Sequence, residues 1–148
     1  MGFSKSILTL CFVLSIFGSY TAQGQIASDI VVIANEIGSN NLTKNQVVAY
    51  AKGEKNFWPN SKKVVVVLPS AKSEIADPVA LAVYKTNSSG MQKYWLSLVF
   101  QGRADPPVFF GNDEETIRFI EKNKGAIGFI SAKNKSKAND YLIEVKTD

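Results

Sequence analysis

The chain has 148 residues, of which 45% are hydrophobic, 20% charged and 11% aromatic, a globular rather than a disordered balance. Lys plus Arg number 17 and Asp plus Glu 13, a net charge of +4, with no histidine and one cysteine, Cys11. That inventory excludes a His-dependent triad, a His general base, a His-ligated metal and a Cys-rich zinc site. The charge is too small and too scattered to predict nucleic-acid binding.

Lys5 precedes an uncharged, mostly apolar run over 7–17, and small and polar residues follow to Ala22-Gln23-Gly24. A basic start, an apolar centre and a small-residue end predict a secretory signal peptide over 1–24, cleaved after Gly24. An uncleaved anchor is the alternative, but the run falls short of the ~20 residues that a membrane span needs. Cys11 sits inside the apolar run behind bulky Leu10, which excludes a lipoprotein signal. Cleavage would remove Lys5 and Cys11, leaving 25–148 as a single domain with net charge +3 and no cysteine. Such a domain is held by its core alone, burying roughly two-thirds of its unfolded surface. Absence of cysteine points to a bacterial envelope protein rather than a disulfide-rich secreted module. The sequons at Asn41, Asn87 and Asn134 are then chance matches.

Residues 29–35 form a continuous β-branched run, the pattern of a strand buried on both faces. A Gly/Asn/Ser loop follows over 36–42. Thr43-Lys44-Asn45-Gln46 reads as a capping box opening a short helix that Gly53 ends. Phe57-Trp58-Pro59-Asn60 is a loop whose aromatics anchor it to the core. Residues 62–68 form a second buried strand, stopped by Pro69. Asp77-Pro78 predicts a helix start, with Asp77 as cap and Pro78 at the first helical position, running to Lys85. Ser89-Gly90-Met91-Gln92 reads as another capping box. It opens a helix with Met91, Tyr94, Trp95, Leu98 and Val99 on one core-facing stripe. Val108-Phe109-Phe110 is a short extended piece. Asn112 caps a further helix with acids in its first turn and Gly125 as its stop. Residues 126–131 form a third buried strand, and 141–145 a fourth after a Lys/Asn/Ser loop. The expected fold is α/β, a single three-layer sandwich with a mostly parallel or mixed sheet.

The polar cluster Ser70-Ala71-Lys72-Ser73 lies where the second strand ends and before a helix begins. Ligands of open α/β sheets sit at such strand ends. Hydroxyls, helix-end N–H groups and the Lys72 charge suit an oxyanion. An ordinary strand-to-helix loop is the competing reading. Ser70 and Lys72 are two apart, so a Ser-x-x-Lys nucleophile motif is absent. Gly125-Ala126-Ile127-Gly128 lacks the spacing and the downstream Lys-Ser/Thr of a phosphate loop.

An ordered set of segments carries a resemblance. It comprises the Ile-Val-Val-Ile-Ala-Asn strand, Leu42-Thr43 and Lys52-Gly53 around the first helix, and Phe57-Trp58-Pro59-Asn60. It continues with the strand ending at Pro69-Ser70, Tyr94-Trp95, Phe100-Gln101-Gly102, Pro106-Pro107 and Gly125-Ala126-Ile127-Gly128-Phe129. The chain resembles the type II periplasmic binding-protein domain of the phosphate ABC-transporter substrate-binding protein family, in a short single-lobe form. The resemblance implies a periplasmic or secreted, non-enzymatic binding domain over 25–148 with no cofactor. Its implied partners are phosphate or another small oxyanion and a membrane transporter or envelope protein. Ser70 and Ser73 are implied as ligand contacts, and Lys72 joins them by its charge. The loop departs from the family's pattern: no Arg lies between Ser70 and Tyr84, while Glu74 and Asp77 are acidic. An envelope interaction module that kept the fold and lost the ligand is the alternative function. N-terminal sequencing of protein recovered from the envelope should read from Gln25; a soluble product starting at Met1 would contradict the signal peptide.

Overall fold

The computed structural model describes residues 29–148. The expected signal peptide and cleavage point lie outside the described residues. Six strands form one sheet: β1 (Ile30–Ala34), β2 (Asn41–Thr43), β3 (Val65–Pro69), β4 (Val108–Phe110), β5 (Ala126–Ser131) and β6 (Leu142–Lys146), in the order β2-β6-β1-β5-β3-β4. Four helices flank it: α1 (Lys44–Ala51), α2 (Ala76–Val79), α3 (Ser88–Phe100) and α4 (Asp113–Lys122). Helix α2 continues into a π-helical turn, Ala80–Tyr84, and a 3-10 stretch, Ala132–Tyr141, kinks at Ala138 before β6.

The β-branched runs explain the layering. Alternate residues of a strand point to opposite faces, and here both faces are covered. Val32, Val66, Leu68, Ile127 and Phe129 join a core with Tyr50, Val79, Met91 and Trp95, beneath α1, α2 and α3. Their neighbours Ile33, Val67 and Ile130 join Ile117, Ile120 and Ala138, beneath α4 and the 3-10 stretch. The three-layer α/β expectation therefore holds. The sheet is mixed rather than mostly parallel. β3 is parallel to β4 and β5, and β2 to β6, but β1 runs antiparallel to both β5 and β6.

Local chemistry sets the helix ends. The Thr43 box forms as expected: Gln46 N–H donates to Thr43 Oγ1 at 3.2 Å, and Thr43 N–H to Gln46 Oε1 at 2.8 Å. The loop expected over 36–42 ends in the first two residues of β2, of which Leu42 is buried and Asn41 exposed. Two other starts differ from expectation. Helix α3 begins at Ser88, with Asn87 rather than Ser89 accepting the capping bond, from Gly90 N–H at 2.9 Å. A Cβ on Gly90 would lie 2.1 Å from Thr86 Oγ1, so the turn into α3 packs against bare backbone there. Helix α2 begins at Ala76 with Ile75 at the cap position. Asp77 sits inside its first turn, and its carboxylate accepts Ser88 N–H at 2.8 Å, joining α2 to the start of α3. That bond holds the Asp77 carboxyl below the usual carboxylate range. Pro78 still falls in the first turn, where its missing N–H has no helical partner to lose.

Both tryptophans are buried, Trp58 at 3% and Trp95 at 2% exposure. Trp58 stacks against Tyr50 at 3.9 Å between ring centroids, and its Nε1–H donates to Gly125 O at 2.8 Å. Trp95 Nε1–H donates to Tyr84 Oη at 2.7 Å, and Tyr84 Oη–H donates to Ala51 O at 2.5 Å. Tyr94 Oη–H donates to Lys52 O at 2.8 Å. Two tyrosines thus satisfy the carbonyls at the end of α1, and burial pushes the Tyr84 hydroxyl well above its ordinary pKa. Removing the Trp95 ring leaves a large cavity and strips Tyr84 of a donor. Trp95→Ala should lower stability by about 3–5 kcal/mol in urea unfolding; a loss under about 1 kcal/mol would contradict the packing described.

Candidate functional site

Because β3, β4 and β5 are mutually parallel across the β3 pairings, their carboxyl ends open on one edge of the sheet. Three chain segments meet there: the loop after β3, the start of α4 after β4, and the start of the 3-10 stretch after β5. Together they line an open-sided cavity of about 250 Å³. The position is the one at which open α/β sheets bind ligands.

The first wall is a self-closed turn. Ser70 N–H donates to Phe110 O at 2.8 Å, extending the β3–β4 ladder by one rung. Ser73 N–H then donates to Ser70 O at 2.9 Å, and Ala76 N–H to Ser73 O at 3.1 Å. Ser73 Oγ accepts Ile75 N–H at 3.4 Å. Lys72 and Ser73 line the cavity. Ser70 stands behind them, its Oγ 3.7 Å from where a Cβ on Gly111 would sit. The turn thus brings together the three residues expected from the sequence, two of them on the wall and one against its back.

The second and third walls supply residues that the sequence reading did not single out. Asn112 caps α4, its Oδ1 accepting Glu115 N–H at 2.9 Å. Asp113 follows, and its Oδ2 accepts Ser131 N–H at 3.0 Å and Asn134 Nδ2–H at 2.7 Å. This carboxylate clamps the end of β5 to the start of α4. Lys133 reaches across the cavity to form an ion pair with Glu74. That hydrogen bond and charge hold Glu74 below the usual carboxylate range and Lys133 above its ordinary value, where the Asp113 charge adds to the effect. Both partners are solvent-exposed, so water screens the pair and its weight in folding is small. The cap role of Asn112 was readable from its spacing to the acids. Its place at the site, like that of Ser131, Lys133 and Asn134, depends on which strands are neighbours. Asp77, whose acidity the loop reading weighed against an anion, faces Ser88 and does not line the cavity.

A larger cavity of about 570 Å³ lies at the opposite edge, between the loop after β1 and the start of β6. Its lining contains Glu36 and Asp140 and no lysine or arginine, so it offers no charge to an anion. Among the described residues, no group of three His, Cys, Asp or Glu side chains could hold a metal ion.

No family model matches the chain, and no curated protein matches it. Solved structures do. A possible phosphate binding protein from Planctomyces limnophilus superposes with a TM-score of 0.58 at 11% identity, over 80% of this chain and 42% of that one. PstS from Borrelia burgdorferi gives 0.57 at 15% identity, over 79% and 47%. An ABC-type phosphate transport receptor from Vibrio cholerae gives 0.50 at 17%, over 79% and 46%. The chain therefore has the fold of one portion of these proteins and spans less than half the length of each, as a single lobe would.

The cap at the cavity rim is open to direct test. Asn112→Ala removes the acceptor for Glu115 N–H and should cost about 1 kcal/mol in urea unfolding; an unchanged midpoint would show that water replaces the cap without loss.

Proposed function

We propose that the chain is an exported, non-enzymatic binding lobe that takes up a small oxyanion, phosphate or a chemical relative, at the bacterial envelope, in association with an ABC-type uptake system. The observation that carries this reading is the convergence of Lys72 and Ser73 on a cavity at the carboxyl ends of parallel strands. Among the described residues, the N–H groups of Lys72 and Glu74, two residues of the lining, have no acceptor, so the turn itself offers further donors. The fold shared with phosphate-binding proteins supports the same substrate class.

The affinity follows from what the wall lacks. No arginine grips the anion in bidentate fashion, and one lobe leaves the ligand open to water on its far side. Donors from Lys72 and Ser73, at roughly 0.5–1.5 kcal/mol each and somewhat more for the charged one, sum to at most a few kcal/mol. Millimolar binding corresponds to about 4.1 kcal/mol. Calorimetric titration of the isolated monomer with phosphate should therefore give a Kd near or above about 1 mM, weakened several-fold by Lys72→Ala and by Ser73→Ala. Micromolar binding by a monomer would refute the single-wall account. Unchanged binding in both variants would remove this turn from the site.

A second reading, an envelope interaction module, draws on the outer face of α3. Leu96 and Phe100 are 57% and 82% exposed there, beside an apolar groove whose lining holds one charge, Lys93. That face suits an apolar partner segment carrying an acid. Pull-down of such a segment by the parent, but not by Leu96→Ser with Phe100→Ser, would favour this reading over anion capture.

A further inference from the structure

The cavity at the ends of β3, β4 and β5 is lined by two lysines, Lys72 and Lys133, and two acids, Glu74 and Asp113, so its charged side chains carry no net charge. A bare dianion is a poor match for such a lining. It would gain from the ammonium groups and lose to carboxylates of equal number held at similar range. The charges are, moreover, unevenly committed. Lys133 is engaged by Glu74. Asp113 uses Oδ2 for Ser131 and Asn134. Among the described residues, Lys72 has no acidic partner within ion-pair distance, and no donor reaches Asp113 Oδ1. One open cation and one open anionic acceptor therefore remain, on two different walls of one cavity.

The two ends also differ in their backbone surroundings. Around Lys72 and Ser73 the turn presents N–H donors, which suit an anion. At Asp113 the positive end of α4 is opposed by Asp113, Glu114 and Glu115 in its first turn, and with Glu114 paired to Lys137 and Lys133 drawn to Glu74, the oxygen still open to a cation is Asp113 Oδ1.

We infer that the ligand of this cavity is a small free zwitterion. A tetrahedral oxyanion head meets Lys72, Ser73 and the turn amides, and an ammonium group a few bonds away meets Asp113 Oδ1. Aminoalkyl phosphonates and amino-alcohol phosphate monoesters are the matching chemical class. The inference rests on the oxyanion reading of the site given above and narrows it.

Two probes that differ only in the ammonium group separate the claims. Titrated calorimetrically into the parent protein, 3-aminopropylphosphonate should bind at least tenfold more tightly than propylphosphonate, and more tightly than inorganic phosphate. Asp113→Asn keeps an acceptor for Ser131 and Asn134 while removing the charge. It should cut the advantage of the amino compound over propylphosphonate, measured within the variant, to under threefold. Lys72→Ala should weaken all three probes. Because the comparison of probes uses the parent protein, a poorly folded Asp113 variant does not blunt the test. Equal binding of the two phosphonates would overturn the zwitterion and leave the oxyanion reading standing. No binding of any probe would overturn both. Co-sedimentation with phosphatidylethanolamine vesicles tests the lipid source of the same chemistry; none is expected, and clear binding there would overturn the free ligand.

Discussion

Gly125 is the knot on which the sheet and its cavity depend. Its N–H donates to Asn35 O at 2.7 Å, while its carbonyl accepts both Val65 N–H at 3.1 Å and Trp58 Nε1–H at 2.8 Å. One residue thus joins the end of β1, the start of β3, the Trp58 loop and the entry to β5. The geometry demands glycine twice over. Its φ is +84°, and a Cβ would sit 2.4 Å from Lys63 O, a backbone atom that cannot step aside. Asn35 tightens the same knot. Its N–H donates to Ala126 O, and its buried side-chain amide donates to the carbonyls of Ile120 and Glu121 at the end of α4.

What this knot fixes at one edge of the sheet is felt at the other. It sets β5 in parallel register with β3, Val65 against Ala126 and Val66 against Ile127. From there the strands carry that register about one strand length to the cavity. Pro69, Phe110 and Ser131 then end side by side, and the turn, the α4 start and the 3-10 stretch close around the same space. The double-sided burial of these strands makes the edge rigid. Val67, Ile127 and Ile130 are fully buried, and their alternation leaves neither face free to slide. Site geometry is therefore a consequence of core packing some distance away.

The chemistry of the site is set by balance rather than by strength. A phosphate-binding surface built on one arginine and several amides would carry excess positive charge. Here two acids offset two lysines in number, and the acids also do structural work, Asp113 in holding β5 to α4 and Glu74 in spanning to Lys133. The scaffold shared with phosphate-binding proteins over less than half their length thus carries, in this chain, a cavity lining whose charges balance. The fold places a cavity at the strand ends, and the side chains there set its charge.

The sequence by itself determined the features that depend on near neighbours. The β-branched runs of β1, β3 and β5 announced strands buried on both faces. The caps at Thr43 and Asn112, the amphipathic stripe of α3 and the inward aromatics Trp58 and Trp95 were all legible, because each arises from residues within a few positions of one another. Ser70, Lys72 and Ser73 were legible as a cluster for the same reason. The tertiary structure alone decided the antiparallel setting of β1, the three-residue strand β2, and the walls contributed by Asp113, Ser131, Lys133 and Asn134. These rest on pairings such as Ile30 with Ser131 and Asn41 with Glu144, about a hundred residues apart in the chain. Hydrophobic alternation states that a strand has two buried faces. It carries no information about which strand lies beside it, and that neighbourhood places two carboxylates and two ammonium groups around one cavity.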